Sequence, residues 1–110
     1  MVMKWLFVFS MFLAIPLSWA QNPSFEEHFQ SGLKAYQTKA YEEAEEHFRK
    51  GLRADQRNTA AMINLGLTYS QLSKPGHAIA WFRRALAVDP SSSEAKMGLD
   101  YSLSKLEIKE

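Results

Sequence analysis

The feature that most constrains this 110-residue chain is an internal repeat with a period of 34 residues. The segment Ala44–Leu52 recurs as Ala78–Leu86, with alanine, phenylalanine and leucine at the same three places. Gly32 and Gly66 are separated by the same interval. Periods of this length are typical of solenoids, in which each unit buries its apolar face only against its neighbours. The chain is therefore expected to fold as a stack of similar units.

The period divides the chain into two units at residues 25–58 and 59–92, followed by a partial third unit at 93–110. In each unit apolar residues recur every three or four positions, which predicts two amphipathic helices. The predicted stripes are Phe25, Phe29, Leu33 and Tyr36; Tyr41, Ala44, Phe48 and Leu52; Met62, Leu65, Tyr69 and Leu72; Ala78, Ile79, Trp81, Phe82, Ala85 and Leu86; and Leu99, Leu103 and Leu106. We therefore predict an all-α fold with two helix-turn-helix units and a C-terminal capping helix.

Polar residues at the predicted helix ends agree with this division. Ser24 precedes Glu27 by three residues, and Ser91 precedes Glu94 in the same way. Each pair predicts a capping box, which satisfies backbone N–H groups that lack a partner at the start of a helix. Pro75 is expected at the first position of its helix, where its missing N–H does no harm.

Charges along residues 41–54 are ordered, with glutamates first and basic residues last, which favours the helix dipole. The spacing predicts ion pairs between Glu45 and Arg49 and between Glu46 and Lys50. A further pair at the same spacing consists of Glu43 and His47. We interpret it as a solvated pair, and the alternative is that both residues share a metal ion.

The period and the residues placed within it resemble the tetratricopeptide repeat (TPR). The second unit has the fuller match, with Leu65-Gly66-x2-Tyr69, Ala78-x3-Phe82-x2-Ala85 and Asp89-Pro90, and departs from the pattern at Pro75. The first unit matches at Gly32, Tyr41, Ala44 and Phe48 and departs at Ser31, Gly51 and Gln56. The resemblance implies a TPR-type solenoid in which small residues lie where two helices cross.

The resemblance also implies a concave groove that is lined by the first helix of each unit and binds a peptide or a helix. The predicted partner-binding residues are Phe29, Gln30, Leu33, Tyr36, Ile63, Asn64, Leu67, Gln71, Met97 and Tyr101. Further groove positions fall on Glu26, Gln37, Ala60, Ser70, Glu94, Gly98, Ser104 and Lys105. One mode of the family clamps a partner's C-terminal carboxylates with Lys, Asn and Arg. Glu26 and Glu94 stand where that mode needs cations, so we expect an amphipathic helix or an apolar peptide instead.

Self-association is the alternative function. The stripe Leu99, Leu103 and Leu106 is expected to pack on the second unit, which leaves Met97, Tyr101 and Ile108 on another face. A terminal repeat helix normally presents a polar outer face, so this apolar face would suit a homodimeric scaffold.

Residues 1–20 have the layout of a secretory signal peptide. Lys4 precedes an apolar run, Trp5–Ile15, and Pro16 is followed by Ser18-Trp19-Ala20, which predicts cleavage after Ala20. The run is shorter than the roughly 20 residues that a membrane span needs. Residues 21–110 would then be the TPR domain. The alternative is an uncleaved segment that anchors the protein to the membrane.

Export and the absence of cysteine favour a bacterial periplasm, since small extracellular domains usually carry disulfides. The segments Arg84–Leu99 and Leu106–Lys109 are similar to those of BatE-type TPR proteins, which belong to bacterial clusters associated with aerotolerance.

Composition and motifs argue against other classes of function. The formal net charge is +1, and without Lys4 the chain has 12 basic and 12 acidic residues, so nucleic-acid binding is not expected. The five glycines are isolated, so no phosphate-binding loop is formed. His28, His47 and His77 lack the spacing of a two-histidine metal helix. We therefore expect neither an enzyme nor a bound metal or cofactor.

Overall fold

A computed structural model describes residues 24–108, with side-chain surroundings as far as residue 107. It contains five α-helices and, over this range, no strand. The helices are α1 (Phe25–Gln37), α2 (Tyr41–Ala54), α3 (Thr59–Gln71), α4 (Pro75–Val88) and α5 (Ser93–Ile108). The predicted all-α fold is confirmed. The predictions for residues 1–20 lie outside the described residues.

The helices are arranged in two layers. Each helix packs against the one that follows it, and α3 also contacts both α1 and α5. We call α1, α3 and α5 the A layer, and α2 and α4 the B layer. Helices α2 and α4 do not pack against each other, so the B layer has a gap between them.

Small residues lie where helices cross, as predicted. Phe48 and Phe82 are fully buried between the layers. A Cβ atom added to Gly32 would lie 2.6 Å from Cε1 of Phe48, and one added to Gly66 would lie 2.7 Å from Cε1 of Phe82. Both distances are too short for a real contact, so the ring of each phenylalanine occupies the space that a side chain would need.

The turns inside the two units have the same backbone conformation. Lys39 has φ 65° and Ser73 has φ 58°, and the two residues are one period apart. In the first turn the N–H of Lys39 bonds the carbonyl of Tyr36 and the N–H of Ala40 bonds that of Ala35; the second turn repeats both bonds. This is a Schellman motif, in which glycine is the usual left-handed residue.

The helix starts confirm two sequence predictions and correct one. The backbone N–H of Glu27 donates to Ser24 Oγ at 3.4 Å, and Pro75 is the first residue of α4. Helix α5, however, is capped by Ser92, whose Oγ accepts from the N–H of Ala95 at 3.2 Å. The prediction for Ser91 is wrong, because its hydroxyl donates to Asp89 at 2.7 Å instead.

The last helix packs on the second unit over only part of its length. Leu99 packs against the core and Leu103 is half-buried, but Leu106 is 42% exposed. The prediction that Leu106 packs inward is wrong, since no described element covers the last turn of α5. The side chain of Ile108, predicted to share a face with Met97 and Tyr101, lies outside the described residues.

Candidate functional site

A groove in the A layer lies between α3 and α5 and encloses about 440 Å³. Ile63, Leu67 and Gln71 line it from α3, and Met97 and Tyr101 line it from α5. Within each helix these residues are four positions apart, so each set forms a stripe along one helix face. The groove therefore brings two largely apolar stripes together.

The walls of this groove are apolar and accessible. Leu67 is 37% exposed, Tyr101 55% and Met97 71%, whereas Ile63 is buried. Among the described residues only Leu106 is a further large hydrophobic side chain with comparable exposure. Large apolar side chains that cluster at the surface mark sites of interaction more often than single ones do.

The composition of α3 explains why an apolar stripe remains for the groove. Met62, Leu65 and Tyr69 are buried in the core on one side of the helix. Ile63 also belongs to the buried core, whereas Leu67 follows Leu65 by two residues, which turns it away by about 200° at 3.6 residues per turn and leaves it exposed. A helix that is apolar on more than one face needs a second covering surface.

The groove also contains residues outside the predicted partner-binding set. Ser70, Glu94 and Gly98 are on positions that the resemblance assigns to the groove, and all three line it. Phe82, predicted only as a core residue, forms part of the floor. A Cβ atom on Gly98 would collide with the Phe82 ring, so glycine at this position keeps the floor deep. The repeat pattern predicted Phe82 as a core residue. That its ring lies directly beneath the groove depends on its close contact with Gly98.

The predicted residues of the first unit do not line this groove. The ring of Phe29 lies 5.9 Å from that of Phe48, and Leu33 is also packed against the core. Tyr36 meets Tyr41 edge-on at 5.3 Å between ring centroids. These side chains hold α1 on α2, and their contacts leave them only partly exposed.

Two predicted amides bond within their own helices. Gln30 Nε2 donates to Glu26 Oε1 at 2.9 Å, and Asn64 Nδ2 donates to the carbonyl of Ala60 at 2.8 Å. Neither lines the 440 Å³ groove. Of the amides expected to bond a partner, Gln71 is therefore the one that the structure places in the groove.

A second concave surface lies in the B layer, in the gap between α2 and α4. It encloses about 520 Å³. We call it the arginine pocket, because Arg49, Arg53, Arg57 and Arg84 line it together with Trp81. Sequence reasoning assigned Arg49 and Arg53 to the helix dipole and missed this surface. The only available signal was the four-residue spacing of Arg49, Arg53 and Arg57.

Trp81 lies among these cations. The guanidinium carbon of Arg84 is 4.5 Å from the centroid of the Trp81 ring, and that of Arg49 is 5.9 Å away. Cations at such distances are attracted to the electron-rich face of an indole ring. Trp81 therefore helps to hold two positive charges at the same pocket.

A polar network connects the arginine pocket with the core. The hydroxyl of Tyr69 donates to Glu45 Oε2 at 2.7 Å, and Arg49 Nε donates to Tyr69 Oη at 3.1 Å. Burial raises the pKa of Tyr69, and the hydrogen bond to Glu45 acts in the same direction. The hydrogen bond to Tyr69 in turn raises the pKa of Arg49. The neutral phenol and the charged guanidinium are both stabilised in the folded state.

The predicted ion pairs of α2 are formed. Arg49 Nε lies 3.2 Å from Glu45 Oε2, and Lys50 Nζ lies 2.9 Å from Glu46 Oε1. The hydrogen bond from Lys50 lowers the pKa of Glu46. His47 Nε2 is 3.9 Å from Glu43 Oε1.

Over the described part of the chain, no three side chains of the metal-binding types cluster together. None of the helices in the same range has the length and hydropathy of a membrane span.

Comparisons with known proteins agree with this architecture. Residues 59–92 match the family model of the tetratricopeptide repeat. A search of the curated proteins found no match. Among solved structures, the second TPR of Spaghetti (RPAP3) bound to an HSP90 peptide is similar, with a TM-score of 0.75 and 22% identity. The match covers 80% of this chain and 82% of that chain.

Two other TPR structures have nearly the same similarity. The first TPR of Spaghetti (RPAP3), also bound to an HSP90 peptide, has a TM-score of 0.71 and 26% identity, over 79% of this chain and 71% of that chain. The Arabidopsis OM64 TPR domain has a TM-score of 0.71 and 21% identity, over 74% of this chain and 68% of that chain. The chain thus has the fold of a TPR-like helical solenoid, and its residues 59–92 match the tetratricopeptide repeat.

Proposed function

We propose that this protein is a non-enzymatic interaction module that binds an amphipathic helix or an apolar peptide in the groove between α3 and α5. The observation that carries the proposal is the pair of facing stripes, Ile63 and Leu67 on one side and Met97 and Tyr101 on the other. An amphipathic helix places its own apolar residues three or four positions apart, which suits a groove with this spacing.

The similar structures support a peptide ligand but not the same peptide. Both Spaghetti domains are bound to the HSP90 peptide SRMEEVD, which has an acidic end. In this chain the groove contains the carboxylate of Glu94 and no arginine or lysine. An acidic peptide end would therefore be repelled, whereas the side chains of an apolar peptide would be removed from water.

Binding of a designed peptide tests the proposal. The probe is a fluorescein-labelled amphipathic helix made of leucine, alanine and glutamine, and fluorescence anisotropy reports its binding to the full chain. We expect Leu67→Glu to weaken binding by about tenfold or more, because it places a charge in the apolar wall. Leu106→Glu is the matched control, since Leu106 has similar exposure but does not line the groove.

Three results would contradict this function. The first is equal binding by the Leu67→Glu and Leu106→Glu variants. The second is equal binding of a peptide whose leucines are replaced by glutamine. The third is a preference for SRMEEVD over the apolar peptide. Circular dichroism of both variants checks that each remains helical.

Self-association is the second candidate function, and the exposure of Met97 and Tyr101 on α5 favours it. In this case a second copy would cover the same apolar stripe. Sedimentation equilibrium over a range of protein concentrations distinguishes the two candidates. A dimer that Tyr101→Glu dissociates would support the scaffold, and a monomer at all concentrations would exclude it.

We further propose that the protein acts in the bacterial cell envelope, after export directed by residues 1–20. The support is the order of Lys4, the apolar run Trp5–Ile15 and the small residues before Gln21. Expression in a bacterial host, followed by cell fractionation and N-terminal sequencing, tests this. We expect periplasmic protein that begins at Gln21. Protein that retains Met1 in the membrane fraction would instead indicate an anchor.

A further inference from the structure

The arginine pocket in the B layer has a positive charge that the described carboxylates do not balance. Arg49 lies within 4.0 Å of a carboxylate, that of Glu45. Over residues 24–108, no carboxylate comes that close to Arg53, Arg57 or Arg84. Three exposed guanidinium groups that line one pocket therefore have no carboxylate in close contact, and an anion bound between them would supply one.

The pocket also has apolar walls. Leu52 and Met62 are buried at its base, and Val88 and Trp81 are half-buried along its α4 side. A volume of about 520 Å³ lies within the range of about 300–1,000 Å³ that is typical of ligand sites. A ligand that matches this pocket needs both carboxylates, or other anions, and apolar groups.

The spacing of the arginines favours a chain of anions over a single one. Arg49 and Arg53 are one turn apart on α2, about 6 Å along the helix axis, and Arg57 follows in the next loop. Alternate residues of an extended peptide are about 6.6–6.8 Å apart and point to the same side. An extended segment in the gap between α2 and α4 can therefore direct every second side chain to the row of arginines that begins on α2 and continues to Arg57. The intervening side chains then face α4, where Trp81 lies beside Arg84.

We propose that the arginine pocket binds an extended segment of a partner protein in which acidic and apolar residues alternate. Carboxylates accept paired hydrogen bonds from the planar guanidinium groups of Arg53 and Arg57, and Arg84 adds positive charge from α4. Apolar side chains pack against the half-buried Trp81 and Val88. The pocket is recessed between two helices, so a narrow peptide enters it more readily than the flat surface of a membrane. This site is separate from the apolar groove and does not depend on it.

The test uses the full chain with Trp5→Phe and Trp19→Phe, which leaves Trp81 as the single tryptophan. The probe is a short peptide that alternates glutamate and leucine, and the fluorescence of Trp81 reports its binding. We expect a saturable change in emission and an affinity that falls as salt is added. The same peptide with glutamine in place of glutamate is expected to give no change.

Two neighbouring residues of α4 provide a matched pair of variants. Both are exposed, but Arg84 lines the pocket and Arg83 lies outside it. Arg84→Glu is expected to weaken binding of the acidic peptide by about tenfold or more, and Arg83→Glu by about twofold at most, since a charge outside the pocket is separated from the peptide by solvent that screens it. Arg53→Glu is expected to act like Arg84→Glu. Binding of the leucine-alanine-glutamine helix in the groove between α3 and α5 should remain unchanged in all three.

Four results with the acidic peptide, and one with the groove variant, would overturn the proposal. The first is an equal loss of binding in Arg83→Glu and Arg84→Glu, and the second is equal binding of the glutamine and glutamate peptides. The third is competition by inorganic phosphate at the same concentration as the peptide. The fourth is binding to anionic lipid vesicles that depends on Arg84 and is tighter than binding to the peptide. The third would indicate a small-anion site and the fourth a membrane surface. Loss of acidic-peptide binding in Leu67→Glu would also contradict it, because that residue lines the other surface.

Discussion

The groove between α3 and α5 and the arginine pocket lie in opposite layers of one small solenoid, and their chemistry differs. Leu67 and Met97 give the groove apolar walls, whereas Arg53 and Arg84 surround the pocket with positive charge. Between them lies the same packing in both units, with a buried phenylalanine against a glycine. The packing between repeats therefore involves the helix positions that face the other layer. The positions that face solvent form the groove in the A layer and the arginine pocket in the B layer.

The largest expected effect comes from disturbing the packing between the two layers. Gly66→Ala places a Cβ atom 2.7 Å from the Phe82 ring, so the ring and its neighbours have to move. We expect unfolding in urea to show a loss of about 1–3 kcal/mol, together with weaker binding in the groove, whose floor contains Phe82.

Gly76→Ala is the matched control for that substitution. An added Cβ atom at Gly76 has no neighbour within 4 Å, and the residue lies in the first turn of α4. We expect stability to be unchanged or slightly higher, since alanine favours helix more than glycine does. Equal destabilisation by both alanine substitutions would show that the Gly66 contact does not limit the packing.

The next effect separates the two surfaces directly. Two variants are tested with two probes. Leu67→Glu should weaken binding of the apolar helix by about tenfold and leave binding of the acidic peptide unaffected. Arg84→Glu should weaken binding of the acidic peptide by about tenfold and leave binding of the apolar helix unaffected. Fluorescence titrations measure all four affinities. A single variant that abolishes both would show that the two surfaces act as one site.

A smaller effect concerns the bond that joins the layers. Tyr69 in α3 is bonded to Arg49 and Glu45 in α2, so Tyr69→Phe removes a contact between the A and B layers. We expect a loss of about 1 kcal/mol at neutral pH, because Arg49 and Glu45 can still pair with each other. Urea unfolding of both proteins measures it, and unchanged stability would show that the network contributes nothing.

The raised pKa of Tyr69 adds a dependence on pH. Its stabilising contribution is fully present below the ordinary tyrosine pKa of about 10 and is lost as pH rises through the higher value of the folded protein. The difference in stability between the original chain and Tyr69→Phe should therefore shrink above pH 10. Urea unfolding between neutral pH and pH 11 tests this, and a constant difference would contradict it.

The smallest effect should leave both surfaces intact. Lys39 and Ser73 hold left-handed backbone angles without being glycine. We expect Lys39→Gly and Ser73→Gly to raise stability by about 0.5 kcal/mol each, since relief of strain exceeds the added freedom of the unfolded chain. Thermal unfolding measures the gain. Both affinities should stay constant, and a change in either would show that binding follows global stability.

Local rules allowed the sequence to predict most of the helices and their inner contacts. Three kinds of feature depend on residues three or four positions apart. They are the apolar stripes that contain Phe48 and Phe82, the helix cap at Ser24 and the ion pairs of α2. The choice among Ser91, Ser92 and Ser93 as the cap of α5 was not accessible in this way. Any of the three hydroxyls can cap a helix, and the bond between Ser91 and Asp89 decided against it.

The candidate site was less predictable. Ile63, Leu67, Met97 and Tyr101 were expected at a groove from the resemblance, and the structure places them around one. Phe29 and Leu33 were expected there as well, but they pack on the first unit and do not line this groove. Periodicity shows that such residues share a helix face, but it does not show whether a neighbouring helix covers that face.

The sequence by itself determined the repeat, the helical class and the pairing of small and large residues, because each depends on spacing within one unit. Only the tertiary structure decided which outward side chains converge. Arg49 lies 20 residues from Tyr69 and 35 from Arg84 in the chain. It bonds Tyr69 and lines the same pocket as Arg84 because α3 packs against both α2 and α4 and leaves a gap between these two helices. The width of that gap follows from how whole helices cross, which no local spacing of residues encodes.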